Sequence, residues 1–73
     1  MITLENFINL CNLEGVYCFT AVEEREHCWK IILVSSPKIG KTLDQLKQYY
    51  NKAVTNVMFS NEDGVFDILI EVE

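Results

Sequence analysis

The segment Val65-Phe66-Asp67-Ile68-Leu69-Ile70-Glu71-Val72 sets the strictest limit on what this chain can form. Phe66, Ile68, Ile70 and Val72 alternate with residues that include Asp67 and Glu71, and successive side chains of a strand point to opposite faces. One face of this strand therefore enters a core while the other meets a wetter surface, the pattern of an antiparallel sheet covered on one side. Asn61-Glu62-Asp63-Gly64 reads as the hairpin turn before it, and Val54 to Ser60 as the strand on the far side of that turn.

The first half carries a second pair of strands. Cys28 to Val34 places Trp29, Ile31 and Leu33 on one face, and Val16 to Val22 is rich in the β-branched and aromatic residues that suit a pleated surface. Gly15 supplies a break before the latter, and Glu23-Glu24-Arg25-Glu26 reads as a charged connection between the two. Each strand pair follows a helix pattern. Thr3 is an N-cap with Glu5 in the first turn, and Leu4, Phe7, Ile8 and Cys11 share a face, which predicts a helix over 3–12. Thr42 with Gln45 makes a capping box, and Leu43, Leu46, Tyr50 and Ala53 predict a second helix over 42–52.

The chain thus reads as αββ twice, with Thr3-Leu4-Glu5 echoed by Thr42-Leu43-Asp44. The expected fold is α+β: a four-stranded, mostly antiparallel sheet with both helices packed on one face. The other face, offering Tyr17, Phe19 or their neighbours, is expected to be partly exposed, which in so small a chain implies self-association or a partner site. At 73 residues, 49% hydrophobic and 23% charged, the sequence predicts one folded domain over 1–73, burying about 60% of its unfolded surface.

The formal charge of −5 opposes direct nucleic-acid binding, which requires a basic footprint. Charge is also segregated. Residues 1–27 hold five acids against Arg25, 28–52 hold five lysines against Asp44, and 53–73 hold five acids and no base. Three cysteines, Cys11, Cys18 and Cys28, cannot all pair within one chain, and Met1 is followed by helix-patterned residues rather than a secretory leader, so a reducing cytoplasm is expected. No apolar run approaches the roughly 20 residues a membrane helix needs, so no membrane association is expected.

Ser35 to Thr42, which holds the single proline, approaches a phosphate-binding loop: Gly40-Lys41-Thr42 fits, but Ser35 stands where the first glycine belongs and Pro37 removes an N–H donor. It reads as a loop feeding a capped helix, with architectural weight. Cys11, Cys18, His27 and Cys28 lack the paired spacing of a structural zinc site and read as small buried hydrophobes beside a surface histidine. Lys38, Lys41, Lys47 and Lys52 read as a solvated basic face. No catalytic set, metal site or cofactor site is expected, and the protein reads as a non-enzyme.

The Thr-Leu-acid helix ending near Leu10-Cys11-Asn12, the strand Val16-Tyr17-Cys18-Phe19, and the late pair Val54-Thr55-Asn56-Val57 and Gly64-Val65-Phe66-Asp67-Ile68 together resemble small, acidic, uncharacterised proteins encoded by bacteriophages of Gram-positive bacteria. The resemblance implies an accessory protein of the host cytoplasm, in a class that includes anti-CRISPR inhibitors of host defence complexes, which often offer acidic surface to a nucleic-acid-binding groove. The expectation is a protein-binding module whose acidic tips, Glu23, Glu24 and Glu26 at one turn and Glu62 and Asp63 at another, meet a partner's basic surface. The alternative is a homo-oligomeric assembly protein, such as a homodimer, using a sheet edge or the uncovered sheet face.

Overall fold

The computed structural model describes residues 1–13, 16–35 and 43–73. Helix α1 (Leu4–Leu10) is followed by strands β1 (Cys18–Arg25) and β2 (Cys28–Val34), a 3-10 helix (Leu43–Tyr49), and strands β3 (Val54–Glu62) and β4 (Val65–Val72). The strands form one antiparallel sheet in the order β1-β2-β4-β3. The first strand of each hairpin lies at an edge and the second strands pair at the centre.

Helix α1 starts where its cap dictates. Thr3 is extended, and its hydroxyl accepts from the Asn6 N–H at 3.3 Å, satisfying a donor that the first turn leaves open. Leu4 and Ile8 are buried and Phe7 packs on the core, but Cys11 is exposed. The helix ends at Leu10, with Cys11 at its C-cap and Asn12 in the left-handed region at φ 53°, so Leu13 fills the core position expected of the thiol.

The core lies on one face of the sheet. Ile31 and Leu33 of β2 oppose Ile70 and Ile68 of β4, and Phe19, Val72, Leu4, Ile8, Leu13 and Leu46 complete the buried set. The alternation read in β4 holds for Ile68, Ile70 and Val72, while Phe66 remains about half exposed. Phe19 corrects its expected place: it faces Leu33 inside the core, and Tyr17 also packs against that core. The opposite face presents Ile32, Val34 and Leu69, half-buried, with Met58 beside Leu69; no described helix covers it.

Two other expectations change. Glu23, Glu24 and Arg25 belong to β1 rather than to a connection, and Glu26-His27 alone form the turn. Cross-strand pairing with Cys28, Trp29 and Lys30 outweighs the weak strand preference of glutamate, because strand propensity depends chiefly on such neighbours. In place of the second α-helix the chain forms a 3-10 helix, whose three-residue turn brings Leu46 and Tyr49 onto the core. Thr42 and the stretch Ser36 to Lys41, including the loop motif, lie outside the described residues. Ser35 adds a rung to the β2–β4 ladder: its N–H donates to the Phe66 carbonyl at 2.9 Å, and its Oγ accepts from the Phe66 N–H at 3.0 Å.

Both edge strands carry a bulge built the same way. The register slips at Thr20 in β1 and at Thr55 in β3. In each case the threonine hydroxyl donates to a carbonyl of the neighbouring strand, Thr20 to Ile32 at 2.8 Å and Thr55 to Glu71 at 3.2 Å. A bulge leaves one residue out of the ladder, and here the side chain supplies the cross-strand bond.

Candidate functional site

The β1–β2 turn and the end of β4 lie at the same end of the sheet, since Trp29 pairs with Val72 and the Cys28 thiol reaches Glu73. Between them runs an open groove of about 760 Å³, lined by Glu23, Glu26, Glu71 and Glu73, with Arg25 and Lys30 as its cations and His27, Cys28 and Trp29 completing it. Four carboxylates against two fixed cations give the groove a negative balance. The mechanism of assembly is cross-strand register: Lys30 faces Glu23 on one side and Glu71 on the other, so a lysine of the basic middle sits between acids from both ends of the sequence.

Glu26 holds its place with a left-handed backbone at φ 44°, a conformation that costs a residue bearing a Cβ. The Cys28 Sγ donates to Glu73 Oε1 at 3.7 Å. Partial burial first, and then the Glu73, Glu71 and Glu26 carboxylates, push the Cys28 thiol above its ordinary range. Cys28 is therefore held as the neutral thiol at neutral pH, the opposite of an activated nucleophile. Among the described residues no group of three or more His, Cys, Asp or Glu is arranged to hold a metal ion. Among the described residues none of the three cysteines is in a disulfide; Cys11 is exposed and Cys18 and Cys28 are half-buried, which corrects the reading of all three as buried.

On the core side of the same end, Lys52 stacks its ammonium 3.7 Å from the centre of the Trp29 ring, and Tyr49 tilts against that ring at 6.4 Å. Lys52 is thus half-buried against an aromatic instead of standing on a solvated face.

The sequence-predicted acids divide into two groups. Glu23 and Glu26 line the groove; Glu24, paired with Trp29, is exposed at the same end but outside it. Glu62 and Asp63 sit at the other turn, beside Val65, at the opposite end of β4. From Val65 to Glu73 the strand advances about 3.3 Å per residue, roughly 26 Å in all, so the two acidic tips do not form one cluster. Glu71 and Glu73 are the acids that sequence reasoning missed. The alternation of β4 marked Glu71 as facing the wetter side, but its neighbours follow only from the strand order. No helix among the described residues is long and apolar enough to cross a membrane. Comparison with protein-family models, with curated proteins and with solved structures gave no match to this chain.

Proposed function

We propose that this protein is a small, acidic, non-enzymatic binding module that occupies a basic groove on a protein partner in the cytoplasm. On this reading it touches neither nucleic acid nor membrane and needs no cofactor. The resemblance to bacteriophage proteins makes a nucleic-acid-binding defence complex of the host the favoured target, with the module acting as an anti-CRISPR-type inhibitor. The observation that carries the reading is the groove at the β1–β2 end, where Glu23, Glu26, Glu71 and Glu73 converge on a rigid sheet end. Glu23 and Glu71 stand on strands and flank Lys30, with Glu26 in the adjoining turn and Glu73 just past β4, so the ladder register fixes the spacing of the first two, as recognition of a basic surface requires. Glu24 adds an acid beside the groove, and Glu62 and Asp63 form a separate acidic tip at the opposite end of β4. The test is binding of the full chain to a host defence complex, with nucleic acid as competitor. Reversal of Glu23, Glu24, Glu26, Glu62 and Asp63 to lysine is expected to abolish binding, and nucleic acid is expected to displace the unaltered chain; binding that survives the reversal sinks the reading.

A second reading, a homo-oligomeric assembly protein, is favoured by the half-buried apolar side chains of the open sheet face and by the length of the β3 edge that no described segment pairs with. Both readings take the chain as two halves, each a short helical segment followed by a β-hairpin, a view supported by the matched threonine bulges and the symmetric strand order.

A further inference from the structure

The two sheet edges are unequal. At the first, the 3-10 helix packs beside β1, and the strand ends in Glu23, Glu24 and Arg25, charges that discourage another strand. At the second, the start of β3 is closed: Thr3 bridges Ala53, and the Val54 N–H donates to the Ile2 carbonyl at 2.9 Å. Beyond the Thr55 bulge no backbone bond from another described segment closes this edge. The ladder fixes which backbone groups look outward. Residues 66, 68 and 70 of β4 face their partners in β2 as hydrogen-bonded pairs, as the Ser35–Phe66 rung shows, so residues 65, 67, 69 and 71 bond to β3. Their opposites are Glu62, Ser60, Met58 and Asn56, which leaves the N–H and C=O groups of Val57, Phe59 and Asn61 directed away from the sheet. The Val57 N–H, turned outward, is taken by the Asn56 side-chain oxygen at 3.0 Å.

We infer that this edge, Asn56 to Glu62, is a self-pairing surface that joins β3 antiparallel to β3 of a second copy, giving a continuous eight-stranded sheet. This rests on the assembly reading and names its interface. Three features select a second copy as the occupant. Between Val54 and Asn61, β3 carries no charge and no proline, so in a molecule of net charge −5 this stretch of edge brings no acid against itself. A two-fold centred on Phe59 is self-complementary: Phe59 meets Phe59 as a hydrogen-bonded pair, Val57 meets Asn61, Met58 meets Ser60, and Glu62 meets the uncharged Asn56. Phe59, 74% exposed, and Met58, 39% exposed, are the large apolar side chains that such a pairing covers.

The test is sedimentation of the full chain over a wide concentration range. The unaltered chain is expected to form a dimer as concentration rises. Phe59→Lys sets two like charges opposite each other, and Phe59→Pro removes an N–H that points away from the sheet and has no partner among the described residues; each is expected to weaken dimerisation about tenfold or more. Trp29 fluorescence and circular dichroism confirm that both variants fold. A monomer at every concentration overturns both the edge and the assembly reading. A dimer that both variants leave intact overturns the edge alone, and its loss on Leu69→Lys then assigns the interface to the open face.

Discussion

Cys28 illustrates how much a single side chain owes to residues far away in sequence. Its thiol is held neutral by partial burial and by Glu73, Glu71 and Glu26, two of which arrive from the other half of the chain. A raised thiol pKa means less thiolate at any given pH, hence slower alkylation. Cys11, exposed at the end of α1, is expected to react with iodoacetamide first and Cys28 later. Glu73→Gln removes one carboxylate charge and should speed labelling of Cys28 at mildly alkaline pH; an unchanged rate, followed by peptide mass spectrometry, overturns that electrostatic assignment. At this scale the sequence spoke clearly only where a residue's role is local. The Thr3 cap, the acid at Glu5 and the burial of Leu4 and Ile8 follow from neighbours within one or two turns. Cys11 was misread because a helical stripe continues on paper past the point where the helix stops, and Lys52 because its partner Trp29 lies across the fold.

The hairpins are where element-scale reading succeeded best and where it needed correction. Strands β2 and β4 fall on the residues that alternation predicts, since both are central and their core faces are fixed by Ile31, Leu33, Ile68 and Ile70. The edge strands run on past their predicted ends, β1 to Arg25 and β3 to Glu62, because pairing with a settled neighbour carries polar residues along, while β1 begins at Cys18 and leaves Val16 and Tyr17 outside it. The 3-10 helix escaped notice since Leu46 and Tyr49 suit a three-residue period as well as a longer one. Both turns are two residues long, with different fitness for the task. Asp63 and Gly64 at φ 53° and 79° have the positive torsions of a tight hairpin turn, with glycine in the second place. Glu26 at φ 44° meets the same demand with a side chain that disfavours it. Gly64→Ala should therefore destabilise by about 1 kcal/mol through its backbone alone, since an added Cβ meets no atom within 4 Å. Glu26→Gly should stabilise by a similar amount, about 1 kcal/mol. Urea denaturation of both variants checks the pair, and a turn indifferent to both changes would overturn the strain argument.

Across the whole molecule the sheet rearranges a charge pattern that the sequence displays as three blocks. Lys30 is placed between Glu23 and Glu71, Lys52 against Trp29, and Glu23, Glu24, Glu26, Glu71 and Glu73 gather at one end of β4 with Glu62 and Asp63 at the other. The blocks were legible; their regrouping was not, because it depends on the order β1-β2-β4-β3, which no local pattern encodes. That order makes the two ends separable in an experiment. With roughly 26 Å between them and a screening length of about 8 Å at physiological ionic strength, charges at one end barely sense the other. If the groove is what meets a basic partner, Glu23→Lys with Glu26→Lys should weaken binding steeply, and Glu71→Gln with Glu73→Gln should do so although neither residue lies in a turn. Glu62→Lys with Asp63→Lys should alter the affinity little and mainly slow association, as a change of distant charge does. Titration calorimetry and association kinetics at two salt concentrations separate these outcomes. Equal losses from the two ends would mean that the partner spans the length of the sheet, and the groove would then lose its special place in recognition.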